Sequence, residues 1–109
     1  MSNGVITFDE GGLGKSCNGA GSKIIRKTPE DVIGRNPEEV FGSQNSWVLE
    51  KIERVKTARE IDYTSDVELV FEDDLTSANV TVMPLTSGDD ELIGTLVMIE
   101  DISSEKRAK

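Results

Sequence analysis

GTLVMIEDISSEKRAK, residues 94–109, contains the change of character around which the rest of the chain is read. From Leu92 to Ile99 nearly every position is apolar, so both faces of this segment need cover, and such a strand belongs in the middle of a sheet. Glu100-Asp101 then closes the strand, Ser103 or Ser104 can cap a helix, and residues 105–109 are helix formers. A central strand running straight into a polar helix reads as an exit. We expect one domain over residues 1–102 and, from residue 103 to 109, the start of a helix leading to a downstream output domain.

The two faces of this strand must differ in what covers them. Either Leu92, Leu96 and Met98 face the helices while Ile93, Val97 and Ile99 face away, or the reverse. Under the first assignment Leu96 is an interior residue and Ile93, Val97 and Ile99 are dimer-face candidates. One set needs a partner in either case, so a homodimer buried through the sheet is expected.

The chain has 109 residues, enough for one domain with one modest core. No apolar run reaches the ~18 residues that cross a bilayer, and no signal-peptide pattern opens the sequence. The single cysteine, Cys17, has no internal partner, which fits a reducing cytoplasm. The net charge of −9 is uneven: residues 36–75 carry 4 basic and 11 acidic side chains, against 5 and 4 in residues 1–35. Nucleic acid and anionic membranes both require a basic face, so neither is an expected partner.

Gly4–Asp9 alternates Val5/Thr7 against Ile6/Phe8 as a short strand does. GGLGKS, residues 11–16, resembles a phosphate-binding loop, but Asp9 stands where that motif requires its first glycine, and an acid there repels phosphate. A hairpin turn is the better reading, with Lys15–Asn18 as the second strand and Asn18 capping a short helix to Ile24-Ile25. Thr28-Pro-Glu-Asp-Val-Ile-Gly34 is then echoed by Asn36-Pro-Glu-Glu-Val-Phe-Gly42. Each copy has a cap, a proline at the first helical position, acids in the first turn and a glycine stop. Two one-turn helices follow, with Val32, Ile33, Val40 and Phe41 inward.

Residues 46–59 predict the long helix, with Val48, Ile52 and Val55 at helical spacing, Trp47 packing beside them and Glu50/Arg54 as an i,i+4 pair. Asp66–Phe71 alternates as a strand with Val67, Leu69 and Phe71 inward, and seven acids between Glu60 and Asp74 mark it as a sheet edge. Glu72-Asp73-Asp74 are consecutive and lack the ligand spacing of a calcium loop. Ser77–Thr86 and the 92–99 run complete the β pattern.

Asp9-x-x-Gly12, Asn18-x-Ala20, Glu30-Asp-Val-Ile-Gly-Arg35 and Asp101-Ile-Ser103 resemble, in order and along essentially the whole chain, the landmarks of PAS domains. Gly14 departs from the family's isoleucine-like residue, so the second strand is expected to be bent or short. NGVITFDE, WVLEKIERV and VTVMPL…GTLVMIEDISSEKR further resemble the PAS module preceding the catalytic domain of bacterial class III adenylate/guanylate cyclases, with sensor histidine kinases as the alternative parent.

The resemblance implies an α+β PAS fold: a five-stranded antiparallel sheet of order 2-1-5-4-3, helices on one face and a C-terminal exit helix. It implies a pocket between sheet and helices, with Phe8, Ile25, Val40, Phe41, Ile52, Leu69, Val82 and Leu96 as lining candidates. It also implies a signal-transfer junction at Asp101, Ile102 and Ser103, with Asp101 anchoring and Ser103 capping the helix.

Haem-binding relatives use a histidine, and this chain has none. Photoactive flavin sites need a cysteine after Gly34-Arg35-Asn36, where Pro37 stands. No cofactor is therefore expected, and a small organic ligand is the remaining option. The usual catalytic nucleophile arrangements cannot be assembled, so the chain itself is not expected to be an enzyme. Three functions compete: a regulatory sensor and dimerisation module acting through its C-terminal helix, a constitutive dimerisation scaffold, and a nucleotide-binding domain built on GGLGKS.

Overall fold

The computed structural model describes residues 3–103 and contains five strands and three α-helices. The strands are β1 (Gly4–Asp9), β2 (Gly14–Cys17), β3 (Asp62–Phe71), β4 (Asp74–Thr86) and β5 (Leu92–Asp101). The helices are α1 (Gly19–Ile25), α2 (Pro37–Phe41) and α3 (Ser46–Ala58), with short 3-10 turns at Pro29–Asp31 and Ser43–Asn45. The strands form one antiparallel sheet of order β2-β1-β5-β4-β3, as the resemblance implied. β5 is central, bonded to β1 on one side and β4 on the other.

Every second residue of the sheet points at the helices. Ile6 and Phe8 of β1, Val97 and Ile99 of β5, Val80 and Val82 of β4 and Leu69 and Phe71 of β3 are all buried. They meet Ile25, Val32, Val40 and Phe41, and Val48, Ile52 and Val55 from α3. Phe8 and Phe41 touch across the two layers, with ring centroids 6.0 Å apart and planes tilted by 49°. Full burial of each such side chain contributes about 1.5–3 kcal/mol.

This arrangement corrects the facing of the last strand. Val97 and Ile99 lie fully buried against the helices, so they are not on a dimer face. Ile93, of the same parity, is 47% exposed near the end of the strand. Leu96, expected inside the pocket, is half-buried on the opposite face with Met98. An apolar run has no alternation from which facing can be read; the register with β1, Ile6 opposite Val97 and Thr7 opposite Leu96, decides it.

The local signals are realised unevenly. Asn36 forms a full capping box on α2: its side chain accepts from Glu39 N–H at 2.9 Å, and Glu39 returns an acceptor to Asn36 N–H at 3.2 Å. Its echo does not. Thr28 makes no cap hydrogen bond, turning instead to the Asp31 carboxylate at 3.1 Å, and Pro29–Asp31 stays a 3-10 turn. Ile33, expected inward, is 56% exposed. The cause is Gly14, whose amide donates to Arg35 O at 2.7 Å and whose carbonyl accepts from Gly34 N–H at 2.9 Å. The chain around Ile33 is thereby bridged to β2 and pulled out of the helical path.

β2 is short, as expected from Gly14, and the register with β1 is irregular at Thr7/Phe8. A Cβ at Gly14 would overlap the Val32 carbonyl, so the departure from an isoleucine-like residue is a requirement of this contact. The same segment bears out the hairpin turn over the phosphate loop. Gly14–Ser16 are strand, α1 begins only at Gly19, and Asp9 accepts Leu13 N–H at 3.0 Å as the anchor of a turn.

Along α3 the Glu50–Arg54 pair does not form among the described residues. Lys51 instead reaches Asp62 of β3 at 3.2 Å and Lys56 reaches Glu53 at 3.5 Å. The β3–β4 hairpin turns on Glu72 and Asp73, both with positive φ, as a tight two-residue turn requires. β3 is the acidic edge strand that its charge pattern predicted.

Candidate functional site

β5 ends in a tied junction. Asp101 Oδ1 accepts Ser103 N–H at 2.9 Å, Ile102 N–H donates to Ser77 O at 2.9 Å, and Ser103 Oγ accepts Ser77 N–H at 3.1 Å. The three residues singled out in the sequence are thus brought together, with one change of role. Asp101 supplies the cap-like acceptor, and the Ser103 hydroxyl is turned back onto β4. One residue earlier, Glu100 accepts from Asn79 Nδ2 at 3.0 Å, and Asn79 Oδ1 accepts Asp66 N–H at 2.9 Å. The end of β5 is therefore tied to β4 and, through Asn79, to β3. The helix expected beyond Ser103 lies outside the described residues.

The other pocket candidates, Phe8, Ile25, Val40, Phe41, Ile52, Leu69 and Val82, form one buried cluster between the sheet and the helices. Trp47 packs at its border. The opposite face of the sheet carries Val5, Thr7, Met83, Leu96 and Met98, all half-buried, with Tyr63 62% exposed beside them. No helix among the described residues covers this face with side chains of the core cluster.

Sequence reasoning missed Asn45. It is fully buried, and its amide behaves like one more residue of a strand beside β3: Nδ2 donates to Val70 O and Oδ1 accepts Val70 N–H, both at 2.8 Å. Nδ2 also donates to Phe41 O at 2.6 Å. Asn45 therefore ties the α2–α3 connection to the sheet edge and blocks part of that edge from pairing elsewhere. In the sequence an asparagine before a helix reads as an N-cap, and this one makes no cap bond.

The positions relevant to cofactors have structural partners. Asn36-Pro37 begins α2 through the capping box. Cys17 is half-buried at the end of β2, where burial pushes its thiol above the ordinary value, the opposite of what a thiolate ligand needs. Glu72 and Asp74 are engaged by Arg26. Among the described residues no three metal-ligating side chains cluster, and no helix is long and apolar enough to cross a membrane.

No curated protein matches the chain closely. Solved structures do. The PAS domain of histidine kinase ThkA superposes with a TM-score of 0.77 at 18% identity, covering 93% of this chain and 100% of that one. A sensory box sensor histidine kinase from Vibrio cholerae gives 0.75 at 18%, covering 93% and 82%. The PAS domain of Bordetella pertussis BvgS gives 0.77 at 22%, covering 97% and 81%. None of the three is a nucleotide cyclase. At these identities the likeness is one of fold, while the family model of the PAS fold matches residues 1–102. With the sheet order, the helical layer and that match in agreement, the chain belongs to the PAS-fold family.

Proposed function

We propose that this domain is the regulatory input module of a bacterial sensor histidine kinase, setting the activity of a covalently linked output domain through the segment that follows Ser103. The observation that carries the reading is the junction at the end of β5, where Asp101 accepts Ser103 N–H and Ser103 Oγ accepts Ser77 N–H of β4; through these bonds a shift between neighbouring strands would change the exit direction. The histidine-kinase domains among the structural neighbours favour that parent over the cyclase suggested by the terminal sequence pattern. The domain itself contributes no catalysis in this reading: it has no histidine, and its one cysteine is a half-buried thiol.

The open sheet face, with Val5, Leu96 and Met98, is the surface through which two copies pair, so that two exit segments leave side by side. A constitutive scaffold without switching is the second reading, favoured by the tightly packed cluster between sheet and helices.

The test uses the full-length parent. Ser103→Ala and Asp101→Asn each remove or weaken one hydrogen bond worth about 1 kcal/mol, so phosphorylation output should change about fivefold while the domain stays folded. Unchanged output in both variants would overturn the junction as a control point. Cyclic nucleotide formation in place of phosphohistidine would return the parent to the cyclase class.

A further inference from the structure

A shallow groove of about 190 Å³ lies on the surface of the helical layer, between the start of α2 and the middle of α3. Its apolar walls are Pro37 and Leu49, both half-buried and so still open to solvent, with Ile52 behind them. Asn36, Glu38 and Glu53 make up its rim. Among the described residues the Glu38 carboxylate makes no ion pair, and Glu53 reaches only Lys56, at 3.5 Å. The seat is thus apolar and its edge acidic. Pockets for free small molecules measure about 300–1,000 Å³, so this groove is too small for one. It is close to the cavity of about 150 Å³ that accepts benzene, which is the room one protruding side chain needs.

The chain carries a matching knob. Gly14 bridges to Ile33 and holds that stretch against the edge of β2, which leaves Ile33 56% and Leu13, the residue before Gly14, 42% exposed. Lys15, the next residue along β2, is exposed as well, and among the described residues its ammonium makes no ion pair. Two exposed aliphatic side chains beside an unpaired cation are the complement of an apolar seat beside an unpaired carboxylate. Neither patch belongs to the open sheet face.

We propose that the two patches meet between copies of this chain: Ile33 of one copy seats on Pro37 and Leu49 of the next, Leu13 covers the rim, and Lys15 lies against Glu38. The patches are unlike, so the contact is heterologous, and every copy offers one of each. One side chain in one groove with an exposed ion pair makes a weak contact, sensitive to salt and far smaller than a permanent interface. Between copies already paired through the open sheet face it joins pair to pair, so that input modules gather in clusters. Only that consequence rests on the sensor reading.

The test is sedimentation of the domain carrying Leu96→Glu, which takes the sheet face out of play, over a concentration series up to about 1 mM, where contacts of millimolar Kd are populated. The average mass should rise with concentration, and less steeply at high salt. Ile33→Asp should weaken this association by about tenfold or more, since it places a charge where the apolar anchor sits. Lys15→Glu and Glu38→Lys should each weaken it several-fold, and the two together in one chain should restore it, because the pair is then reversed rather than broken. Ile33, Lys15 and Glu38 are all exposed, so these variants keep the fold. A double variant weaker than both singles, or an Ile33→Asp variant that associates as before, would overturn the contact. So would a mass that never rises, which would leave sheet pairing standing and hand the groove to an unlike basic partner. Association that survives Leu96→Glu undiminished and is lost with Ile33→Asp would support the contact and remove the sheet face instead.

Discussion

Asn45→Ala removes a fully buried side chain that makes three hydrogen bonds, one to the Phe41 carbonyl and two to Val70. The replacement methyl satisfies none of them. The Phe41 carbonyl loses a buried bond, and an orphaned buried acceptor costs about 1–3 kcal/mol. Val70 N–H and C=O are part-buried, so water recovers some of what is lost there, and each contributes about 0.5–1.5 kcal/mol. The sum is about 2–6 kcal/mol, a large share of the 5–15 kcal/mol typical of a domain. In urea the midpoint should fall sharply with little change in slope, and a loss of ~4 kcal/mol should lower the melting temperature by roughly 15–30 °C. Hydrogen exchange at Val70 should accelerate more than at Leu69, whose amide faces β4. Asn45→Asp keeps an acceptor for Val70 N–H but loses both donor bonds and buries a charge, so it should be no milder than alanine. A loss below about 1 kcal/mol for Asn45→Ala would refute the reasoning, since it would mean that the edge of β3 does not depend on this amide.

Two further predictions concern the sheet. Gly14→Ala drives a Cβ into the Val32 carbonyl and should cost about 1–3 kcal/mol by urea unfolding, whereas Gly19→Ala, with nothing within 4 Å of its Cβ, should be neutral or slightly stabilising. Val97→Ala should cost about 2 kcal/mol, while Leu96→Ala, one residue away on the open face, should cost less than about 1 kcal/mol. In sedimentation, Leu96→Glu should weaken self-association while the monomer stays folded; an undiminished dimer would remove the open face as the pairing surface.

Much of the fold was legible because its signals are local. Asn18 and Asn36 cap the helices that follow them, Val48, Ile52 and Val55 repeat at helical spacing, and the acids of residues 60–74 mark an edge. These signals act through a side chain and a backbone a few residues away, so neighbouring sequence states them fully. Thr28 shows the limit of that logic. It carries the same start signal as Asn36, yet the segment after it is claimed by Gly14, about twenty residues back in the chain.

The chemistry-bearing residues of the sequence were read best where they lie on one strand end: Asp101, Ile102 and Ser103 are together because they are consecutive. Their common partner, Ser77, is 26 residues from Ser103, and no spacing rule names it. Asn45 and Arg26 were missed for the same reason, since their partners lie 25 or more residues away on β3 and its hairpin.

By itself the sequence determined most of the strand and helix segments, the stretch after Thr28 excepted, that β5 is central and β3 is an edge, and that a polar segment follows β5. Only the tertiary structure decided which face of β5 is inside, because Leu96 and Val97 are equally apolar and the register against β1 sends one to the open face and the other into the core. It alone also decided the pairing of Arg26 with Asp74 and the plugging of β3 by Asn45. Both are contacts between parts of the chain that meet only when hydrophobic burial has drawn the helices onto the sheet.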